Sequence, residues 1–306
     1  MKWRKRGLVY VPDGAKPWAR THAFLPTPEL TPDGQLRVYL TSLDDAQFGR
    51  ASYVVLDRDD PTRVLYECQR PLLDVGELGA FDDSGVNPSS VLRVGDQVFM
   101  YYIGWQRVQQ VPYMLFSGLA ISDAADDLNF QRASRVPVLD RTEAEPFSRS
   151  APFVLDTGDG FLCWYWSCER WSYDGGFLHY NNEIRLARSI DGKTWNQHSS
   201  YCLGPDYASE YSTGRPWVVR DGLTWKMWYS IRSMSEAYQI GYAESADGVA
   251  WTRKDAEAGL NTSESGWDSD MVFCPAVIDV DGRRLLFYNG NRHGATGFGV
   301  AELERD

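Results

Sequence analysis

The sequence predicts an all-β chain, a five-bladed β-propeller with four antiparallel strands in each blade. Two periodic signals lead there. A short aromatic run recurs five times, closing at Leu40, Tyr102, Tyr165, Tyr229 and Tyr288, and each run follows a proline: Pro26, Pro88, Pro152, Pro216 and Pro275. The spacing is roughly sixty residues, the mark of one supersecondary unit repeated around a ring. Asp-Gly pairs between alternating apolar runs, as in "RPWVVRDGLTWKMWYS", add hairpin turns that need positive φ.

Each element follows from this frame. The opening "MKWRKRGLVYVPDG" is basic but has no long apolar core, so it reads as a β-strand rather than a signal peptide. It is expected to pair around Leu8–Val11 with the last blade, whose own sequence ends in "GFGVAELERD". Blades one and two are carried by Arg37–Leu40 and Phe99–Tyr102. Blade three has Leu162–Tyr165 and then "ARSIDGKTW"; blade four has Lys226–Tyr229, "YQIGYAES" and "AESADGVAW"; blade five has Leu285–Tyr288. The two near-identical lines place Asp191-Gly192 and Asp247-Gly248 in the turns between the outer two strands, with Trp195 and Trp251 as outer-strand core. First strands are expected near residues 20, 83, 147, 211 and 269. The segments 105–116 and 168–182 are longer than their counterpart in blade four and read as rim loops shaping a pocket. A continuous repeat makes residues 1–306 one domain.

Composition narrows the function. The formal net charge of −11 argues against nucleic acid or an anionic membrane as partner. No apolar stretch approaches a membrane span. The five cysteines, Cys68, Cys163, Cys168, Cys202 and Cys274, are odd in number and lack zinc spacing, so reduced thiols in a cytoplasmic setting are expected. There is no P-loop, dinucleotide fingerprint or nucleophile elbow, and no cofactor is expected. A calcium or similar cation in the channel is compatible with the acidic residues and His22, without a metal motif to support it.

In a propeller the innermost strands converge on a central channel, so the polar residues ahead of the five prolines are the candidates for chemistry. They are His22; Asp82, Asp83 and Asn87; Ser148 and Arg149; Glu210 and Arg215; and Asp268 and Asp270. Glu210 is the candidate proton donor. Asp83 is the candidate base, with Asp268, Asp270 and His22 as further catalytic candidates. Arg149 and Arg215 suit an anionic group or a carboxylate held ionised. Trp171 and Trp267 suit stacking on a sugar face, and Asn291, in "YNGNRHG", suits the pocket rim. Structural roles compete with each: Asp83 and Asp268 as acceptors for backbone amides, Arg215 as the partner of Glu210, His22 as a hydrogen-bonded channel residue.

The lines "GRPWVVRDGLTWKMWYSIRS", "QIGYAESADGVAWTRKD" and "ESGWDSDMVFCPAVIDVDGRRLLFYNGNRHGATGFGVAEL" resemble the five-bladed propellers of glycoside hydrolase families 43, 32 and 68. The likeness is greater to glycosidase-like proteins encoded in bacterial surface-polysaccharide clusters, and it is strongest over blades three to five. It implies a carboxylate at the channel in each of blades one and two and a glutamate acid in a later blade. Asp83 and Glu210 are the counterparts here, while His22 stands where the blade-one aspartate is expected. The implied function is a glycosidase-like enzyme acting on a small or anionic glycoside by paired carboxylates. The alternatives are a cyclase, lyase or transferase on the same scaffold, or a non-catalytic glycan-binding propeller.

Overall fold

In a computed structural model, which describes residues 1–174, 176–235 and 237–304, the chain is all-β. Strand β1 (Trp3–Tyr10) is followed by strands that pair antiparallel in sequence order. They are β2 (Thr21–Leu30), β3 (Leu36–Leu43), β4 (Gly49–Leu56) and β5 (Val64–Glu67); then β6 (Gly85–Val94), β7 (Gln97–Arg107), β8 (Tyr113–Asp123) and β9 (Gln131–Arg132). Next come β10 (Arg149–Asp156), β11 (Phe161–Asp174), β12 (Phe177–Ser189) and β13 (Ser200–Leu203); then β14 (Glu210–Asp221), β15 (Thr224–Ser233), β16 (Tyr238–Ser245) and β17 (Thr252–Arg253). The last run is β18 (Phe273–Val280), β19 (Arg283–Asn289) and β20 (Phe298–Leu303), and β1 pairs antiparallel with β20, Leu8 opposite Gly299. Thr21, Gly85, Arg149, Glu210 and Phe273, which open the first strand of each run, lie within four residues of the expected positions.

The second strand of every run carries buried aromatic residues, Tyr39 alone in the first run and an adjacent pair in each of the others. Tyr39, Tyr101, Tyr102, Trp164, Tyr165, Trp228, Tyr229, Phe287 and Tyr288 are all inaccessible to solvent. Each contributes on the order of 2–3 kcal/mol through burial alone.

Backbone ladders scarcely join one run to the next. The parallel contacts are single pairs: Gly49 with Gly85, Phe116 with Arg149, and Asn182 with Ser212. Aromatic side chains do more. Trp164 Nε1 donates to Gly248 O at 2.9 Å, Tyr101 Oη to Gly192 O at 2.5 Å, Trp217 Nε1 to Val277 O at 2.7 Å and Trp3 Nε1 to Ala258 O at 2.9 Å.

The two Asp-Gly lines therefore have a double role. Asp191 Oδ1 accepts the amides of Lys193 and Thr194, and Asp247 Oδ1 those of Val249 and Ala250, which shapes each turn. The glycine carbonyl of the same turn then receives the preceding run's aromatic donor. Gly192 and Gly248 sit at φ 69° and 75°, where a side chain is disfavoured.

Two expectations need correction. The segments 105–116 and 168–182 are mostly strand, not loop: β7 and β8 extend as one hairpin, and so do β11 and β12. The added residues come as cross-strand pairs, Trp105 with Leu115 and Trp171 with Tyr180, so extending the ladder satisfies the backbone that a loop would leave to water. Neither Trp195 nor Trp251 lies on an outer strand: Trp195 is buried in the segment ahead of β13, and Trp251, directly ahead of β17, is half-buried and edge-on against Trp164.

All five cysteines are free and buried. No helix among the described residues is long and apolar enough to cross a membrane.

Candidate functional site

Each first strand is broken at its proline. The register slips between Phe24 and Thr27, Pro88 and Ser90, Ser150 and Phe153, Gly214 and Trp217, and Phe273 and Ala276. Four residues just ahead of a proline take left-handed backbone: Leu25 (φ 57°), Ala151 (51°), Arg215 (52°) and Cys274 (52°). Proline disfavours right-handed helical backbone in the residue before it, and a bulge re-aims the side chain it carries. The outcome is one ring of neighbours. Leu25, Asn87, Ala151, Arg215 and Cys274, the five residues ahead of the five prolines, all line a single cavity of about 450 Å³.

The wall above that ring is aromatic. Phe24, Trp105, Tyr113, Trp166, Trp171, Tyr180, Tyr238 and Phe273 line it. Tyr238 stacks on Phe273 at 4.9 Å, and Tyr113, Trp171 and Tyr180 pack edge-on or tilted at 5.7–6.4 Å. The hydroxyls of Tyr180 and Tyr238 share a 2.5 Å hydrogen bond. Burial raises the pKa of both phenols, and of Tyr113, so they stay protonated.

Polar groups are few and several are unsatisfied. Asn87 Oδ1, Asn182 Oδ1, Trp105 Nε1, Trp171 Nε1 and Arg215 Nε are buried without a hydrogen-bond partner, and all five residues line the cavity. A buried polar atom left unpaired costs about 1–3 kcal/mol, and these five are shut off from the cavity surface, so they lie behind its wall. Two imidazoles also stand in the wall, His22 and His293, at φ 64° and 56°. Burial, and then the nearby His293 and Arg292, lower the His22 pKa; burial and Arg232 lower that of His293. Both rings are therefore neutral at pH 7. His22 Nδ1 lies 2.9 Å from Thr21 Oγ1.

Of the residues singled out in the sequence, the fold brings His22, Asn87, Ser148, Arg215 and Trp171 together here. The others are placed elsewhere. Glu210 is gripped by Arg253, whose Nη2 and Nη1 donate to its two oxygens at 2.7 and 2.9 Å, and it also accepts the Asp206 amide. Asp83 accepts the Gly79 amide and the Ser84 hydroxyl. Asp268 is buried between Lys5 and Tyr288, at 2.7 and 2.9 Å. Asp270 is exposed beside a separate depression lined by Asn261 and Thr262. Arg149 is buried with Glu145 at 3.3 Å and bonds Tyr165. Trp267 packs on Tyr288 at 5.1 Å, and Asn291 bonds the amides of Asp270 and Met271.

Consequently no Asp or Glu lines the cavity among the described residues, and none of them groups three metal-binding side chains. Sequence reasoning missed Asn182 and the tyrosines Tyr113, Tyr180 and Tyr238.

No family model matches the chain. A Mycobacterium tuberculosis protein of strain ATCC 25618 / H37Rv, described as "Uncharacterized protein Rv1502", is 36% identical over 304 residues, covering 99% of this chain and 100% of its own length. The chain belongs to the Rv1502 family.

MT1551, from M. tuberculosis strain CDC 1551 / Oshkosh, matches to the same extent. Among solved structures, this Rv1502-family chain is similar to a glycosyl hydrolase from Bacteroides ovatus (TM-score 0.73, 15% identity, 99% of this chain and 94% of that one). It is also similar to a thermostable family-43 glycoside hydrolase (0.68, 15%, 95% and 93%) and to an exo-1,5-alpha-L-arabinanase from a bovine ruminal metagenomic library (0.63, 12%, 93% and 94%). At these identities the likeness is one of fold, a glycosidase-like β-propeller.

Proposed function

We propose that this Rv1502-family chain is a carbohydrate-active protein whose central cavity binds a small glycoside or sugar derivative. The scaffold in this reading is a single five-bladed propeller over residues 1–306, with β1 completing the fifth blade. The observation that carries the reading is the wall: Trp105, Trp166, Trp171, Tyr113, Tyr180 and Tyr238 around one space of about 450 Å³. Aromatic faces stack on sugar C–H faces, and a wall with this many rings suits that contact. The volume lies within the usual range for small-ligand sites.

The chemistry departs from paired-carboxylate hydrolysis. That mechanism needs an acid and a base flanking the glycosidic bond, and the described wall holds neither. Proton transfer in this cavity falls instead to His22 and His293, two imidazoles whose pKa burial lowers, so that each stands as a neutral base at pH 7. The same missing carboxylates favour, as a second reading, a propeller that binds a glycan without turning it over.

Calorimetry with a panel of monosaccharides and disaccharides, paired with turnover assays on aryl glycosides, tests the proposal. Trp171→Ala should weaken sugar binding by about tenfold, the size of one lost aromatic stacking contact. His22→Asn should abolish any turnover. Failure of every sugar to bind, or binding indifferent to Trp171→Ala, would remove the sugar reading. Binding without turnover would select the second.

A further inference from the structure

We infer that Arg215 binds an anionic group of the ligand, so that the cavity takes a carboxylated or phosphorylated sugar derivative rather than a neutral one. The sugar half of this inference rests on the function proposed above; the anion half stands on Arg215 alone.

Three arginines are buried among the described residues: Arg37, Arg149 and Arg215. Arg37 has Asp127 at 3.2 Å and Glu29 at 3.7 Å, and Arg149 has Glu145 at 3.3 Å. Arg215, 3% exposed, has no carboxylate among the described residues. Its Nη1 donates to Ser89 O at 2.8 Å and its Nη2 to Thr27 Oγ1 at 3.0 Å, both neutral acceptors, and its Nε is unpaired. A buried cation needs a counter-charge, and the Cys274 thiol, the acidic group that acts on it, does not supply one. Burial pushes the pKa of that thiol up to about 12. Burial lowers the Arg215 pKa only to about 10, so the guanidinium remains charged at neutral pH.

The repeat does not require this charge. The equivalent positions ahead of the other four prolines hold Leu25, Asn87, Ala151 and Cys274. A structural side chain there can be apolar or neutral. Arg215 shares its left-handed backbone with three of them, but it alone adds an uncompensated buried cation to the residues that line the cavity. An unpaired buried charge is costly, so its retention here calls for a ligand that pairs it. The planar fork of donors matches a carboxylate or a phosphate, and the neighbouring indole N–H groups and neutral imidazoles place no negative charge against it.

The test measures binding of glucose, glucuronate, glucose 1-phosphate and inorganic phosphate to wild type, Arg215→Met and Arg215→Lys. The inference predicts that at least one anion binds wild type ten times or more tighter than glucose, that Arg215→Met removes the difference and that Arg215→Lys recovers part of it. Glucuronate and glucose 1-phosphate separate a carboxylate from a phosphate ligand. Phosphate binding alone would keep the anion site and overturn the sugar reading. Glucose binding as tightly as its anionic counterparts would overturn the anion site and keep the sugar reading. Should Arg215→Met fail to fold, bromide-soaked crystals of the wild type decide: an anomalous peak at the guanidinium supports the inference, and no peak overturns it.

Discussion

Replacing Glu210 by Gln separates a structural acid from a chemical one. In the fold both oxygens of Glu210 are held by Arg253, and one also accepts the Asp206 amide at 2.9 Å. The side chain is 14% exposed and that of Arg253 is 23% exposed, so the pair is partly shielded from water. Gln keeps the shape and one acceptor but loses the charge that strengthens both guanidinium bonds. A charge-assisted bond contributes roughly 1.5–3 kcal/mol when buried, and partial exposure brings the expected loss to about 1–2 kcal/mol. An unfolding entropy of about 2.1 cal/mol/K per residue, applied to this chain length, amounts to roughly 0.6 kcal/mol/K. Tm should therefore fall by about 2–3 °C. Differential scanning calorimetry reads that shift, and titration with a bound sugar should give an unchanged Kd. A variant with wild-type Tm and a hundredfold loss of turnover would place Glu210 in the chemistry and refute the structural assignment.

Three further outcomes follow from the same geometry. The folded-state pKa of His22 and His293 lies below the ordinary histidine value, so the unfolded chain takes up protons first as pH drops. Stability should be flat above about pH 6.5 and fall as pH moves down from there toward the folded values; urea unfolding at several pH values should show this slope, and a His22→Asn/His293→Asn double variant should lack most of it. The five buried thiols, with the Cys168, Cys202 and Cys274 pKa values pushed up to about 12, should resist a thiol reagent in the native protein and all react in denaturant; one rapidly modified native cysteine would contradict the packing. Deleting residues 1–10 removes the strand paired with β20 and bares its edge, so cooperative unfolding should be lost or aggregation should follow; an unchanged Tm would mean that β1 adds nothing to the fifth run.

The sequence by itself determined the periodic part of this protein. The aromatic runs, the prolines and the Asp-Gly turns recur because each unit solves the same packing problem. Residues such as Trp164 and Trp228 can be assigned to a buried strand without knowing what lies opposite. It also identified the region ahead of each proline as the place where the runs meet. What it could not fix was the register within that region. Side chains on a strand alternate between faces, and the bulge at each proline shifts the alternation by a residue. Arg215 and Asn87 thus reach the cavity, whereas Arg149, two positions before Ala151, is buried against Glu145, and Asp83, four before Asn87, accepts nearby backbone and hydroxyl donors. Partners distant in sequence completed the sorting. Arg253, forty-three positions from Glu210, and Lys5, two hundred and sixty-three from Asp268, neutralise acids that looked free along the chain, while Arg215 meets no carboxylate among the described residues. Local sequence encodes each strand's own pattern, but whether a charge is paired depends on which strands the fold brings alongside it, and that is decided only when the chain folds.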